Sequence, residues 1–234
     1  MEAEAEHLRR LLDCTRFVIL DFDGPICRLL AGYTAEAMTG HLTDWLDSRG
    51  YGDLARRGQH PQAVADPQVI VRAVTKHRPG SDLAIEAERR LTDLERAAVP
   101  SAVPTPYADP LIHTLHARGV PIAIASNNSA TAISDYLAAR SLQSIISHVQ
   151  GRRSDFEHLK PHPYSLTKAM EAINADPAAT THLGDSPTDL HAAQAAGIAF
   201  LGYSSYGPWQ QGLRDAGADC TVSSLRPILE LLHG

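Results

Sequence analysis

The sequence contains few cysteines, few aromatic residues and no long apolar run. Its three cysteines, Cys14, Cys27 and Cys220, are widely spaced and form no CxxC pair, as is typical of a protein that keeps its thiols reduced. No apolar stretch approaches the roughly 18 residues that a membrane-spanning helix requires. The N-terminal residues are charged and helical in pattern, without the apolar core of a signal peptide. We therefore expect a cytoplasmic protein that does not associate with membranes.

Basic residues are also fewer than acidic residues. There are 21 Lys and Arg residues against 27 Asp and Glu residues, which gives a formal net charge of -6. This excess of negative charge argues against a general binder of nucleic acid or of anionic membranes, although a local basic patch remains open. A chain of 234 residues can form one large domain, or a core with a smaller insert, without a disulfide or metal to stabilise it. Disordered, collagen-like, coiled-coil and disulfide-rich classes are excluded.

Short apolar segments separated by helical patterns predict a parallel α/β sheet. The two strongest segments are 17–20 and 121–125, and each is continuously apolar, as in a strand that is buried on both faces. Stretches of helical periodicity lie between the segments, which favours right-handed crossovers. Weaker strands are predicted at 144–149, 181–184, 198–203 and 219–222.

Residues 29–104 break this alternation. Apolar residues recur there at three- and four-residue steps in 35–45 and in 83–98, which predicts helices, and 69–74 is a further apolar stretch. A proline-rich stretch, 100–106, closes the segment and is typical of a stiff linker. We predict a small helical domain at 29–104, inserted into a sheet domain formed by residues 1–28 and 105–234.

Two acidic motifs follow predicted strands. Asp21, Asp23 and Gly24 come directly after the first strand, and Asp185 and Asp189 follow the strand that ends at residue 184. Open α/β sheets bind ligands at the carboxyl ends of their strands, where carboxylates offer a hard-cation site and a nucleophile. An acidic turn and an acidic helix start are the alternative interpretations. Ser186 and Pro187 predict that a helix begins there, because they suit the N-cap and the first helical position.

Two further motifs carry groups that suit a phosphate. Ser126 and Asn127 follow the strand at 121–125, and a hydroxyl with free backbone N–H groups before a helix can cradle an anion. Lys160 precedes Pro161, and a residue before proline is disfavoured from a helical conformation. A lysine held in this way is suited to bind a phosphate or a carboxylate. A helix-capping cluster and an ordinary surface lysine remain open as alternatives.

Taken in order, these four motifs resemble those of the haloacid dehalogenase-like hydrolase superfamily. The resemblance covers the whole chain, since the helical insert lies where the C1 cap of subfamily I lies, as in phosphoglycolate phosphatases. It implies a Rossmann-like α/β core with a helical cap, and a Mg²⁺-dependent phosphatase that acts on a small phosphorylated metabolite.

The resemblance also implies a role for each motif residue. Asp21 would be the nucleophile that forms an aspartyl phosphate, and Asp23 the general acid and base. Asp21, the backbone carbonyl of Asp23 and Asp185 would bind Mg²⁺. Asp189 would bind or orient that site from outside the set of direct ligands. The remaining residues implied to bind the phosphoryl group are Ser126, Asn127, Lys160 and Gly24.

The chain also departs from its relatives. Arg28 occupies a position at which many family members carry Asp. The substrates of phosphoglycolate phosphatases or β-phosphoglucomutases therefore cannot be assigned to this protein by resemblance. We expect Arg28 either to reach an anionic group of the substrate or to pair with an acid of the cap. A phosphomutase of the same fold and a non-catalytic binding module remain as alternatives for the whole protein, and the sequence indicates no oligomeric state.

Overall fold

The computed structural model describes residues 2–57, 65–154 and 156–233. The chain forms two compact units. The first, here the core unit, comprises Met1–Arg28, Pro104–Arg152 and His158–Gly234. The second, here the helical unit, comprises Leu29–Val103 together with Arg153–Glu157.

Eight strands lie within the described residues. Six of them form one parallel sheet in the order β5-β4-β1-β6-β7-β8, and β2 pairs with β3 in a separate two-stranded sheet. The strands are β1 (Phe17–Leu20), β2 (Cys27–Arg28), β3 (Val103–Pro104), β4 (Ile122–Ala125), β5 (His148–Gln150), β6 (Thr180–Gly184), β7 (Ala199–Tyr203) and β8 (Thr221–Val222).

The order of the large sheet determines where a ligand can bind. The chain adds β4 and β5 on one side of β1, and then β6, β7 and β8 on the other side. Val18 in β1 is therefore in register with both Ile122 and Thr181. Such a reversal of strand order leaves a crevice at the carboxyl ends of the central strands, where α/β proteins bind ligands.

Eleven α-helices lie within the described residues. They are α1 (Glu2–Cys14), α2 (Ala35–Ser48), α3 (Gly52–Arg57), α4 (Pro67–His77), α5 (Asp82–Ala98), α6 (Ala108–Ala117), α7 (Ala130–Ala139), α8 (Tyr164–Ala172), α9 (Pro187–Ala196), α10 (Gly207–Asp215) and α11 (Arg226–His233). None of these helices is both long enough and apolar enough to cross a membrane.

The sheet is buried because its central strands carry apolar side chains on both faces. All four residues of β4 are buried, as are the last three of β1. Ile19 packs in one apolar cluster with Ala123 and with residues of α8 and α9, among them Leu166 and Ala193. This packing confirms the predicted parallel α/β sheet and agrees with the continuous apolar runs from which we predicted β1 and β4.

The strand predicted at 144–149 is wrong at its N-terminal end. Residues 143–145 form a turn, and the strand begins only at His148. The apolar side chain of Ile146 is buried before the strand starts, so its hydrophobicity reflects packing of the connection rather than an extended strand. The strand predicted at 219–222 is also shorter, since β8 contains only Thr221 and Val222.

The helical unit is built from α2, α3, α4 and α5. Side-chain caps start three of these helices, since Thr34, Asp66 and Ser81 each accept a hydrogen bond from the backbone of the first turn. The helices pack through buried apolar residues spaced three and four apart, including Met38, Leu42, Leu46, Ile70, Val74, Ala87 and Leu91.

Candidate active site

The first acidic motif lies in a tight turn after β1. The backbone N–H of Asp21 donates to the carbonyl of Leu183 at 2.8 Å, so the residue is fixed against β6 as the strand ends. Gly24 has a φ of +104°, and a Cβ there would lie 2.3 Å from Oδ2 of Asp185. The turn therefore requires glycine for its backbone conformation and for its close approach to the second acidic motif.

The second acidic motif is a capped helix start. Ser186 is the N-cap of α9, Pro187 is the first residue of the helix, and Ser186 and Asp189 form a reciprocal capping box. This confirms the helix start predicted from the sequence. The capping box turns Asp189 inward, so that its side chain is 1 % exposed and its Oδ2 accepts a hydrogen bond from Ser186 N at 3.1 Å.

Lys160 links the two acidic motifs. Its Nζ lies 2.8 Å from Oδ1 of Asp21, donates to Oδ1 of Asp189, and donates to the carbonyl of Ala125 at 3.0 Å. The Lys160 side chain is only 3 % exposed. The structure thus brings together Lys160, Asp21 and Asp189, which lie far apart in the sequence.

The motif after β4 contacts the Lys160 loop. Asn127 Oδ1 accepts from the backbone N–H of Lys160 at 2.9 Å, and Asn127 Nδ2 donates to the Lys160 carbonyl at 3.4 Å. Ser126 is buried, and its Oγ donates to Oδ1 of Asn128 at 3.2 Å. The side-chain amide of Asn127, predicted to bind phosphate, is thus engaged with the Lys160 backbone, while Ser129 rather than Ser126 caps α7.

Burial and neighbouring charge shift the ionisation of the acidic groups in opposite directions. Burial raises the pKa of Asp185 to about 9, and the charges of Asp21, Asp189 and Asp23 add to that increase. The pKa of Asp21 is raised by burial as well, against the opposing effect of Lys160. Burial would also raise the pKa of Asp189, but Lys160 and His182 hold it well below its usual range.

The same charges keep Lys160 protonated. Burial alone would lower the pKa of its ammonium group, but Asp189 and Asp21 raise that pKa above its ordinary value. The cluster therefore holds a fixed positive charge beside Asp21, while its other carboxylates repel one another. A cation placed between Asp21 and Asp185 would relieve that repulsion.

The donor set fits a hard divalent cation. Asp21, Asp185 and Asp189 each offer a carboxylate oxygen, and these atoms lie within 4.8 Å of one another. Both oxygens of Asp189 already accept hydrogen bonds, so Asp21 and Asp185 are the carboxylates best placed to hold an ion. Oxygen ligands of this kind suit Mg²⁺.

Arg28 and Asp23 lie in the chain that leaves the first motif. Asp23 is half-buried and forms a bridge with Cys27, and the exposed Arg28 follows in β2. Among the described residues, no hydrogen bond or ion pair joins the Arg28 side chain to the Lys160 cluster.

Two residues of the site lie outside the motifs that the sequence indicated. Thr105 is buried, and its Oγ1 donates to the carbonyl of Gly24 at 2.5 Å, which supports the turn after Asp21. His182 in β6 is fully buried and contacts Asp189. A titratable residue inside a predicted strand was the available signal for His182.

Comparison with known proteins shows the family to which the chain belongs. The model of the family described as "Haloacid dehalogenase-like hydrolase" matches residues 18–203, which is most of the chain. The chain belongs to the haloacid dehalogenase-like hydrolases. The match begins within β1 and ends with β7, so it spans all four motifs.

Curated relatives within the family carry phosphatase names. The phosphoglycolate phosphatase of Escherichia coli (strain K12) is 26% identical over 127 residues, which cover 54% of this chain and 50% of the relative. The pyrophosphatase PpaX of Anoxybacillus flavithermus is 26% identical over 151 residues, covering 64% of this chain and 69% of that protein. The chain thus spans about half the length of the phosphoglycolate phosphatases that it matches.

Solved structures share the fold. CbbY from Rhodobacter sphaeroides in complex with phosphate has a TM-score of 0.68 and 17% identity, covering 94% of this chain and 100% of that one. A haloacid dehalogenase-superfamily hydrolase of subfamily IA from Geobacter sulfurreducens has a TM-score of 0.58 and 24% identity, covering 94% and 97% of the two chains. A second CbbY structure contains xylulose-(1,5)bisphosphate.

Proposed function

We propose that this protein is a Mg²⁺-dependent phosphatase that hydrolyses a small phosphorylated metabolite through an aspartyl phosphate on Asp21. The observation that carries the proposal is the buried Lys160 ammonium, 2.8 Å from Asp21 Oδ1 at the carboxyl edge of the sheet. A phosphate dianion repels a carboxylate nucleophile, so the reaction needs positive charge at that position. The phosphatase names of the curated relatives agree with this proposal.

The first step of the proposed reaction transfers the phosphoryl group to Asp21. A carboxylate oxygen of Asp21 forms a bond to phosphorus as the bond between phosphorus and the ester oxygen breaks. Asp23 donates a proton to the departing oxygen, so that the leaving group departs as an alcohol. Lys160 stabilises the charge on the phosphoryl oxygens, and Ser126 binds them through its hydroxyl.

The second step regenerates the nucleophile. Asp23, now a carboxylate, takes a proton from water, and the water oxygen attacks phosphorus as the bond to Asp21 breaks. Inorganic phosphate leaves, and Asp21 returns to its ionised form. Division of the hydrolysis into two displacements lowers the barrier that either step must cross.

Asp21, the carbonyl of Asp23 and Asp185 would hold Mg²⁺, with Asp189 in a supporting position. When bound, the ion would supply positive charge that stabilises the phosphoryl oxygens in the transition state. Asp189 fixes Lys160 in our proposal, and Gly24 allows the first motif to approach Asp185 closely.

The experiment is a turnover assay with p-nitrophenyl phosphate, in EDTA and then with Mg²⁺ restored. We expect hydrolysis that stops in EDTA and returns with Mg²⁺. Full activity in metal-free protein would contradict the role of the ion, and no hydrolysis of any phosphate ester would favour a non-catalytic binding module. A library of phosphorylated metabolites, with phosphoglycolate and pyrophosphate among them, would then identify the substrate, and dependence on a sugar bisphosphate would indicate a phosphomutase.

A further inference from the structure

His182 lies between two hydrogen-bond acceptors in the centre of the core unit. Its Nδ1 is 3.0 Å from the carbonyl oxygen of Ile19, and its Nε2 is 3.1 Å from Oδ1 of Asp189. The side chain is fully buried, and its ring packs against that of Phe200 with 6.1 Å between the ring centroids. The imidazole is therefore held in one orientation by its neighbours on the sheet.

The partners of the ring determine where its protons lie. A backbone carbonyl can only accept a hydrogen bond, so Nδ1 carries a proton. Asp189 also acts as an acceptor toward its other neighbours, since it receives hydrogen bonds from Lys160 Nζ and from the backbone N–H and hydroxyl of Ser186. The contact between Nε2 and Oδ1 is then a hydrogen bond that the ring donates, so Nε2 bears an N–H.

His182 and Lys160 contact the same oxygen of Asp189. Lys160 contacts Oδ1 from the side of Asp21, while His182 contacts it from within β6. The capping box restrains Oδ2 of the same carboxylate. Asp189 is thus fixed at both oxygens, and the Lys160 ammonium is fixed in turn.

We propose that His182 is a positioning residue, which through its Nε2–H holds Asp189 in the orientation that keeps the Lys160 ammonium beside Asp21. The inference rests on the proposed function, because it assigns His182 a part in the phosphoryl transfer at Asp21. His182 itself touches neither Asp21 nor the position of the phosphoryl group in that proposal. Its effect on the reaction passes through Asp189 and Lys160.

Two substitutions separate this role from simple packing. The amide nitrogen of glutamine reaches about as far as Nε2 of histidine, so His182→Gln can still donate to Asp189. The amide nitrogen of asparagine corresponds to Nδ1, so His182→Asn can donate only to the Ile19 carbonyl. Both variants are neutral amides and differ in which of the two contacts they preserve.

We expect His182→Asn to lower kcat for p-nitrophenyl phosphate by about 10- to 100-fold, the range for a lost hydrogen bond to a charged group, with little change in KM. His182→Gln should recover most of that loss. His148→Gln is the matched control, because His148 is a partly buried histidine on the edge strand β5 of the same sheet. It should leave kcat unchanged. Equal losses in both His182 variants, or wild-type kcat in His182→Asn, would overturn the proposal.

A spectrum of the resting protein tests the same arrangement without turnover. Nitrogen-15 NMR of the imidazole rings reports whether each ring nitrogen carries a proton, and the signals that disappear in His182→Gln belong to His182. We expect both of its nitrogens to be protonated, and an unprotonated Nε2 would overturn the proposal even if the asparagine variant fails to fold. If the wild-type protein hydrolyses no phosphate ester, the proposed function fails, while this spectrum still decides whether His182 donates to Asp189.

Discussion

Charged residues pair in both units of the molecule, but their surroundings differ. In the core unit, the side chains of the Lys160–Asp189 pair are 3 % and 1 % exposed. In the helical unit, Arg89 pairs with Asp93 at 2.9 Å, with side chains that are 57 % and 52 % exposed. The first pair has been removed from water, whereas the second remains in it.

This difference in burial determines how much each ion pair can contribute to the stability of the fold. A buried ion pair is often no more stabilising than well-packed apolar residues, because desolvation offsets the attraction between the charges. An exposed pair contributes about 0–1 kcal/mol. The buried cluster therefore has no advantage as a source of stability, and strongly perturbed ionisable groups at the carboxyl edge of a sheet indicate a functional site.

The largest expected effect comes from Asp21, the proposed nucleophile. Asp21→Asn should lower kcat by at least about 1,000-fold, because an amide cannot form an acyl phosphate. Circular dichroism should show a retained fold. Asp93→Asn is the matched control in the helical unit and should leave turnover unchanged. Activity of the Asp21 variant within about tenfold of wild type would contradict the mechanism.

Removal of the buried cation should affect stability as well as turnover. Lys160→Met leaves Asp21 and Asp189 without their shared partner, and loss of one member of a buried pair costs about 3–5 kcal/mol. Urea unfolding measures this loss, and kcat should fall by about 100-fold or more. Arg89→Met, which removes an exposed cation, should change the free energy of unfolding by less than about 1 kcal/mol. Similar losses in both variants would remove the distinction between the two units.

Asp185→Asn should stabilise the metal-free protein at alkaline pH. Burial raises the pKa of Asp185 from 3.8 to about 9 in the folded chain. The stability that this carboxyl group contributes is therefore complete below its unfolded pKa and is lost as the pH rises toward 9. In EDTA at pH 8, we expect the variant to melt at least about 2–4 °C above wild type, the shift for roughly 1 kcal/mol in a chain of this size.

Two further measurements test that assignment. The difference in melting temperature should disappear below about pH 3, where the carboxyl group is protonated in both the folded and the unfolded state. Added Mg²⁺ should raise the melting temperature of wild type more than that of Asp185→Asn, because the variant lacks one of the proposed ligands of the ion. Asp47→Asn in the helical unit is the control, and an equal response of both variants to pH would contradict the effect of burial.

The smallest effect concerns Arg28, which is exposed. If Arg28 contacts the substrate, Arg28→Ala should lower kcat/KM by about tenfold for a substrate with a second anionic group, as expected for one hydrogen-bonded charge. p-Nitrophenyl phosphate has no such group and should be affected much less. An equal loss with both substrates, or a matching loss of thermal stability, would favour a structural role.

The sequence predicted those parts of the site that depend on local signals. β1 and β4 are continuous apolar runs, and Ser186 with Pro187 marks a helix start that the structure confirms. The motifs at Asp21, Ser126 and Asp185 could therefore be placed at the ends of strands without knowledge of the tertiary fold. The same local signals failed at Ile146, which is buried in the connection before β5 rather than in the strand.

The rest depends on neighbours that are distant in the sequence. The orientation of His182 depends on its contacts with the carbonyl of Ile19 and with Asp189, and neither contact follows from the sequence around β6. The bond from Thr105 to Gly24 is equally non-local. No periodicity marks Arg153–Glu157, which the structure groups with the helical unit.

The position of β1 at the centre of the sheet has a consequence for folding. β1 is the first strand of the chain, yet its partners β4 and β6 lie beyond Leu29–Val103, the main segment of the helical unit, in sequence. Closure of such long loops carries an entropic cost before any contact repays it, so these pairings are expected to form slowly. During synthesis, the apolar segment Phe17–Leu20 must wait for both partners, and Asp21 can meet Lys160 and Asp185 only after the chain has been made beyond both of these residues.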